Sequence, residues 1–237
     1  MSSIKYCIVT GATSGIGLSL CSAFSSAGFR VTALGRNAQK LRELSESIPH
    51  KITTRIVDLE KDTSTDQFLD CYGKQNSSLD VLIHCAGLHH LDIIPQISKD
   101  QLRSMFQVNV IAPLSLSQGL MPLLKKASGT IVFLNSSIVA GSRKSAAGYS
   151  ATRQAMKSIA ETLRLEVNPD GIRVLSVYPG RTATAATSKL FKGENKSYDP
   201  EKMLQPEDIA HMILESVSLP KTAELTDLYI RSAIKSY

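Results

Sequence analysis

Short apolar segments alternate with amphipathic helical segments along the whole chain of 237 residues. The first apolar segment, 6–9, is continuous, which is typical of a strand covered on both faces. Apolar residues then recur at helical spacing over 15–28, where Gly28 ends the stripe. The same succession predicts strands at 31–34, 52–57, 81–83, 131–134 and 172–177 and helices at 37–48, 62–75 and 147–168. Alternation at this spacing predicts one α/β domain over 1–237, with a parallel sheet between two layers of helices.

Composition excludes several classes of protein. Hydrophobic residues make up 43% of the chain, which is enough to build a core and excludes a disordered polymer. No apolar run approaches the roughly 18 residues of a membrane span, and the N-terminal sequence lacks the pattern of a secretory signal. The four cysteines, at positions 7, 21, 71 and 85, form no C-x-x-C pair. Reduced thiols in the cytoplasm are the simplest expectation.

The charge pattern bears on partners. Lysine and arginine total 27 against 21 acidic residues, a formal net charge of +6. The basic residues are scattered, and Lys125 and Lys126 form the densest cluster. With no arginine-rich arm, we expect no nucleic-acid binding. A diffuse positive surface suits an anionic small molecule or an acidic partner, although it also simply keeps a chain in solution.

A glycine-rich turn joins the first strand to the first helix. Segment 10–17 reads TGATSGIG. Its glycines allow a tight turn, close approach of the backbone to a pyrophosphate, and close packing of helix on strand. The N-terminus of the helix offers free N–H groups and the positive end of its dipole to that phosphate. The segment therefore predicts a dinucleotide-binding turn.

Together with later motifs, this turn resembles that of the short-chain dehydrogenase/reductase family. The family's form is T-G-x-x-x-G-x-G, and further matches follow in the family's order over about 4–232. They are Asp58-Leu59, Ala86-Gly87, Asn109, Ser136, Tyr149 and Pro179-Gly180. The resemblance implies a Rossmann-like, doubly wound parallel sheet of about seven strands. It also implies an oxidoreductase that acts on a small carbonyl or alcohol substrate and forms a homodimer or homotetramer.

The resemblance also implies which residues bind the cofactor. They are Gly11, Thr13, Ser14, Gly15, Ile16, Gly17, Arg36, Asp58, Leu59, Ala86, Gly87, Tyr149, Arg153, Pro179, Gly180, Thr182 and Thr184. Asp58 would contact the adenine amino group, with Leu59 packed nearby, although a helix-capping role for Asp58 is the alternative. Thr182 and Thr184 are both candidates for the nicotinamide carboxamide.

Arg36 bears on the choice of cofactor. It follows the second strand, where an acidic residue would bind a ribose 2′-hydroxyl in an NAD(H) site. Its planar guanidinium suits a 2′-phosphate, and we expect no acid nearby that would repel that group. The sequence therefore predicts NADP(H) rather than NAD(H). The alternative is that Arg36 is only a solvated residue at a helix start.

The candidate catalytic residues are Asn109, Ser136, Tyr149 and Arg153. Hydride transfer to a carbonyl needs a proton donor at the developing alkoxide and a second hydrogen bond to that oxygen. By resemblance these roles fall to Tyr149 and Ser136, while Asn109 would hold a water molecule. Ser137 competes with Ser136, which stands 13 residues before Tyr149 and fits the family spacing better.

The sequence departs from the family where the pattern Y-x-x-x-K requires lysine, because it carries Arg153. Positions i and i+4 share a helix face, so Arg153 still lies beside Tyr149. The family's lysine binds the nicotinamide ribose and makes the tyrosine more acidic. Arginine keeps the positive charge but cannot release a proton. The interpretations left open are an active NADPH-dependent reductase, an NADP(H)-binding protein with weak or lost activity, and a non-redox reaction on the same fold.

Three further features face the expected substrate. Segment 183–203 is polar and irregular, which predicts a substrate loop or lid, or else a mobile surface loop. His89 and His90 are expected in a loop at the cleft entrance, and they lack the carboxylate of a metal site. Arg181 is a candidate contact for the cofactor or for an anionic substrate, with a surface role as the alternative. We expect no metal.

Overall fold

The fold is built around one parallel sheet. The computed structural model describes residues 4–13, 15–48 and 52–234. Among these residues seven strands pair in the order β3-β2-β1-β4-β5-β6-β7, all parallel. They are β1 (Tyr6–Thr10), β2 (Arg30–Gly35), β3 (Ile52–Ile56), β4 (Val81–His84), β5 (Thr130–Leu134), β6 (Arg173–Pro179) and β7 (Asp227–Ile230). The predicted doubly wound α/β fold is confirmed.

Helices cover both faces of this sheet. In the described part of the chain they are α1 (Ile16–Ser26), α2 (Ala38–Ser47), α3 (Asp62–Gln75), α4 (Lys99–Phe106), α5 (Ala112–Ala127), α6 (Ala147–Val167), α7 (Ala185–Gly193) and α8 (Pro206–Val217). Successive side chains of β1 point to opposite faces. Cys7 and Val9 therefore pack in one core with α1, α2 and α8, while Ile8 packs in the other with α3, α5 and α6.

The strand order reverses beside β1, and this reversal positions the site. The chain runs from β1 outward to β3, then returns to place β4 on the other side of β1. In open parallel sheets the crevice at such a reversal, at the carboxyl ends of the strands, is where ligands bind. The Thr10 hydroxyl oxygen accepts bonds from the backbone N–H groups of Cys85 and Ala86, both at 3.0 Å, and so joins the ends of β1 and β4.

A single π turn, Gln107–Ile111, joins α4 to α5 without a break in the helical rod. Such turns carry one residue more than an α-helical turn and occur often at functional sites. Asn109 lies in the middle of this turn.

Segment 183–203 is not the irregular loop expected from its sequence. It contains α7 and a short 3-10 turn, Pro200–Lys202. The Thr184 side chain caps α7 by accepting a hydrogen bond from the Thr187 backbone N–H, at 3.2 Å. Phe191 is the one residue of α7 that is fully buried. A single buried residue in a nine-residue helix gives too short a periodic pattern to identify it from sequence.

Candidate active site

A cleft of about 520 Å³ opens at the carboxyl ends of the strands around the reversal point. It brings together residues from distant parts of the chain. Of the candidates expected from sequence, it is lined by Ile16, Gly87, Ser136, Tyr149, Arg153, Pro179, Gly180, Thr182 and Thr184. Ser137 lines it too, so the structure does not separate it from Ser136. The candidates that do not line this cleft are Gly11, Thr13, Gly15, Gly17, Arg36, Asp58, Leu59, Ala86 and Asn109.

Tyr149 and Arg153 lie on the same face of α6, as their spacing predicts. The guanidinium carbon of Arg153 is 5.0 Å from the centre of the Tyr149 ring, a cation–π arrangement. Arg153 is only 6% exposed. Its Nη1 donates to the Leu134 carbonyl oxygen at 3.2 Å, whereas its Nε has no hydrogen-bond partner among the described residues. The cation is thus held beside the phenol by the end of β5.

Gly87 makes room for this guanidinium. A Cβ atom at Gly87 would collide with Nη2 of Arg153. Cys85, which occupies the family's asparagine position, also lines the cleft. Burial raises the pKa of its thiol to about 12, although the positive charge of Arg153 works in the opposite direction. The thiol is therefore neutral at neutral pH.

Ser136 precedes a short 3-10 turn, Ser137–Ala140, at the end of β5. Its hydroxyl oxygen accepts a bond from the Ile138 N–H at 3.3 Å, and its own N–H donates to the Asn135 side-chain oxygen at 2.9 Å. A hydroxyl group that accepts one bond still has its hydrogen to donate. Ser136 thus caps a turn and also presents a donor to the cleft.

Asn109 is 1% exposed and supports the site from its buried side. Its side-chain oxygen accepts from the Leu88 N–H at 2.8 Å. Its amide group donates to the Leu88 carbonyl oxygen at 2.8 Å and to the Thr152 hydroxyl at 3.0 Å. Both amide hydrogens are therefore bound by protein and tie the loop after β4 to α6. That Asn109 holds a water molecule stays a prediction.

The glycine-rich turn adopts backbone angles that suit glycine. Gly11 has φ +66°, and a Cβ there would lie 2.8 Å from the Ala86 Cα. Gly15, at φ +50°, is the N-cap of α1, which has neither a side-chain cap nor an acidic residue in its first turn. The first N–H groups of α1 are therefore available to an anion, and this part of the turn fits a pyrophosphate. Ser14 lies outside the described residues.

Arg36 has a partner that sequence reasoning missed. Its Nη1 lies 2.7 Å from Oε1 of Glu60, in the turn that follows the neighbouring strand β3. The expectation that no nearby acid would repel a 2′-phosphate was wrong, because the sheet brings together two residues 24 positions apart. The Arg36 side chain is 65% exposed, so a 2′-phosphate would compete with Glu60 for an accessible guanidinium.

Asp58 and Leu59 shape the turn between β3 and α3. The Asp58 carboxylate accepts from the Glu60 N–H at 3.3 Å and lies 3.6 Å from Nζ of Lys61. Leu59 is buried in the core. An adenine contact for either residue stays a prediction.

In the segment after β6, the hydroxyl groups of both candidate threonines make hydrogen bonds within the protein. The Thr182 hydroxyl donates to the Gly180 carbonyl oxygen at 3.1 Å, and the Gly180 N–H donates to the Ile230 carbonyl oxygen at 2.8 Å. Thr184 caps α7, and its methyl group lies next to Gly15. The hydroxyl groups are fixed by these bonds within the wall that follows β6.

A charged cluster lies at the rim of the cleft, where Glu194 ends α7. It pairs with Arg143, with Nη2 of Arg181 at 3.0 Å and with Nζ of Lys196 at 3.3 Å. Burial opposes ionisation of Glu194, but hydrogen bonds from Arg181 and Lys196 and the charge of Arg143 outweigh it. The pKa of Glu194 therefore lies below its usual value.

Two histidines near the carboxyl end of β4 are neutral. His89 lines the cleft with its ring 6.2 Å from that of Tyr149, and its pKa is lowered by burial and by the charges of His90 and Arg153. Burial lowers the pKa of His84 to about 3.

In the described part of the chain, no three or more His, Cys, Asp or Glu residues are grouped so as to hold a metal ion. None of the described helices is both long and apolar enough to cross a bilayer.

Comparison with known proteins decides the family. The model of the family described as short chain dehydrogenase matches residues 5–195, most of the chain. The chain belongs to the short-chain dehydrogenase family.

Relatives of this short-chain dehydrogenase cover nearly its whole length. An uncharacterized oxidoreductase of Staphylococcus aureus (strain USA300) is 29% identical over 232 residues, which are 96% of each chain. Among solved structures, the alcohol dehydrogenase of the archaeon Thermococcus sibiricus, complexed with 5-hydroxy-NADP, is 24% identical, covers 99% of both chains and has a TM-score of 0.85. A point variant of actinorhodin polyketide ketoreductase with NADPH is 21% identical, covers 100% of both and has a TM-score of 0.88. These structures bear out the Rossmann-like fold.

Three residues of this short-chain dehydrogenase went unnoticed in the sequence: Glu60, Arg143 and Glu194. Each carries a common surface charge with no local motif. Their partners are 24 residues away for Glu60 and 51 residues away for the Arg143–Glu194 pair. Only the fold makes these residues neighbours.

Proposed function

We propose that this protein is an NADP(H)-dependent oxidoreductase that reversibly reduces a ketone or aldehyde to an alcohol. One observation carries the proposal: Tyr149, Ser136 and Arg153 line a single cleft beside the uncapped N-terminus of α1. The solved structures that contain NADP or NADPH support the choice of cofactor.

The cofactor would lie along the carboxyl edge of the sheet. The turn 10–17 would hold its pyrophosphate and Arg36 its 2′-phosphate, with Asp58, Leu59, Ala86 and Gly87 beside the adenosine half. Pro179, Gly180, Thr182 and Thr184 would hold the nicotinamide. The bound cofactor supplies the hydride.

Side chains of this protein bind the substrate's carbonyl oxygen and supply its proton. Ser136 donates a hydrogen bond to the carbonyl oxygen, and Tyr149 gives its phenolic proton to the developing alkoxide. The resulting phenolate is stabilised by the guanidinium of Arg153. Arginine keeps its proton, so the phenolate regains a proton through water, which Asn109 would help to hold. In the alcohol-oxidising direction each proton moves the opposite way.

A second candidate function is an NADP(H)-binding protein of the same fold with weak or lost redox activity. The observation that favours it is the binding of Arg153 Nη1 to the Leu134 carbonyl oxygen, with the guanidinium over the ring face of Tyr149. A guanidinium engaged in these contacts is less free to bind a nicotinamide ribose.

NADPH oxidation against a broad panel of ketones and aldehydes distinguishes the two candidates. We expect the wild type to turn over and Tyr149→Phe to lose activity by a factor on the order of 100 to 10,000. Calorimetric titration with NADPH confirms that each variant still binds cofactor. If the wild type binds NADPH without turnover and only Arg153→Lys is active, the second candidate is the correct one.

Assembly as a homodimer or homotetramer stays a prediction of the family resemblance, and a cytoplasmic location stays a prediction of the cysteine pattern. Sedimentation of the purified protein tests the first of them.

A further inference from the structure

The wall of the cleft is strongly positive. It carries Arg143, Arg153 and Arg181, and none of the described residues that line it is Asp or Glu. Arg153 already has a role in the proposed reaction, because it lies beside Tyr149. The other two arginines come from loops after β5 and β6 and have no role in the reduction of a neutral carbonyl.

Glu194 is the carboxylate that Arg143 and Arg181 share at the rim. It also contacts Lys196, so one negative charge faces three positive charges. The pKa of Glu194 lies below its usual value, so this carboxylate is ionised at neutral pH. The cluster therefore keeps an excess of two positive charges and can accept a second anion.

The two arginines differ in how firmly they are held. The Arg181 side chain is 16% exposed, and its guanidinium carbon lies 4.6 Å from the centre of the Phe191 ring while Nη2 contacts both oxygens of Glu194. The Arg143 side chain is 36% exposed and lies on the loop between β5 and α6. If Arg143 leaves Glu194, that carboxylate still keeps Arg181 and Lys196. Of the two arginines, Arg143 is therefore the one that can change partners at lower cost.

We propose that Arg143 binds a carboxylate of the substrate, which makes the natural substrate an oxo acid or the corresponding hydroxy acid. A carboxylate is the planar, two-oxygen acceptor that a guanidinium matches, and Glu194 shows that the rim accommodates one. On binding, Arg143 exchanges the Glu194 carboxylate for that of the substrate, and Arg181 with Lys196 retains Glu194. This inference rests on the proposed function and specifies its substrate class.

A purely structural role would look different. If Arg143 and Glu194 only fasten α7 over the cleft, removing either charge loosens the same contact. Both variants would then weaken binding of charged and neutral substrates alike. The exchange instead requires opposite effects, because Glu194 competes with the substrate for Arg143.

The test compares oxo acids with their methyl esters, for example 4-oxopentanoate with methyl 4-oxopentanoate, in a series that moves the keto group along the chain. Steady-state NADPH oxidation is measured for the wild type, Arg143→Gln, Glu194→Gln and Lys144→Gln. Lys144 is the matched control, because it is the neighbouring basic residue and does not line the cleft. Thermal shifts in the presence of NADP⁺ report ligand binding independently of turnover.

We expect the wild type to favour the acid, and Arg143→Gln to raise its KM about tenfold or more while the KM of the ester stays unchanged. Glu194→Gln should lower the KM of the acid, and Lys144→Gln should change neither. Equal use of acid and ester, or a rise in KM for both substrates in both cleft variants, would overturn the proposal. If no carbonyl compound is reduced, the proposed function fails, and the thermal shifts decide about the subsite. Thermal stabilisation of the wild type by the oxo acid, lost in Arg143→Gln, would still support the subsite. No stabilisation of the wild type by the oxo acid would overturn it.

Discussion

The guanidinium carbon of Arg153 lies 5.0 Å from the ring centre of Tyr149, one helical turn earlier on α6. A permanent cation thus stands beside the phenol where the family pattern has lysine. The two cations differ in geometry and in proton chemistry, since arginine presents a planar fork and never releases its proton.

Replacing Arg153 with methionine should lower kcat by a factor on the order of 100. The reason is the lost attraction to the phenolate, about 3 kcal/mol for charges about 5 Å apart at an effective dielectric near 20. Single-turnover NADPH oxidation measures the effect on the chemical step. Lys157→Met, one turn further along α6, is the control and should leave kcat unchanged. Equal rates in the wild type and Arg153→Met would show that the guanidinium takes no part.

Adding a methyl group at Gly87 should disturb the same cation. Its Cβ would meet Arg153 Nη2, so we expect Gly87→Ala to lower the free energy of unfolding by about 1–3 kcal/mol and to reduce kcat. Urea denaturation and steady-state kinetics measure the two effects. At Gly73 in α3 a Cβ meets nothing within 4 Å, so Gly73→Ala should keep full activity. An equally active Gly87→Ala would mean that the guanidinium moves without consequence.

Removing Glu60 should strengthen binding of NADPH. Without its carboxylate, Arg36 is free for the 2′-phosphate, and since exposed ion pairs are weak we expect Glu60→Gln to lower the Kd about two- to fivefold. Arg36→Gln should raise the Kd for NADPH. In both variants the Kd for NADH should change by a smaller factor than the Kd for NADPH. Calorimetry gives these values, with Glu43→Gln on the exposed side of α2 as control. Parallel changes for both cofactors would show that the pair does not select between them.

His84 should make the fold sensitive to acid. Its ring is buried, with Nε2 2.9 Å from the Ser117 hydroxyl, and its pKa falls from 6.5 to about 3. A histidine with a depressed pKa binds its proton more readily in the unfolded chain, so it reduces stability as pH falls below 6.5, by up to about 1.4 kcal/mol per unit until pH 3. Urea denaturation of the wild type and His84→Gln between pH 7 and pH 4 tests this. The two curves should converge on acidification, and parallel curves would contradict it.

Local signals made much of the fold predictable. The apolar run 6–9, the glycine-rich turn and the stripe over 15–28 are contiguous, so β1 and α1 could be placed from sequence. The pair Tyr149 and Arg153 could also be placed, because helical spacing alone puts them on one face. The bounds of the helices over 99–127 and of strand β7 were not predicted. Pro122 and the extra residue of the π turn disturb the sequence pattern of the first, and β7 spans only four residues.

Long-range contacts were beyond the sequence. The pairing of Arg36 with Glu60 depends on β2 and β3 being neighbours in the sheet, and that of Arg143 with Glu194 depends on where α7 folds back. Both pairs change the chemistry expected of an arginine, one toward the cofactor and one toward the substrate. In each case a charged residue without a motif decides how available the arginine is.

The π turn at Gln107–Ile111 has a consequence for insertion and deletion. Because it holds one extra residue, every side chain of α5 is rotated by about 100° from the position that an uninterrupted α4 would give it. A deletion of one residue in this turn would restore the regular ladder of hydrogen bonds and cancel that rotation, so Leu116 and Leu120 would still face the core they fill. What the deletion would remove is the turn that places Asn109 against Leu88 and Thr152, so the extra residue serves the site rather than the core.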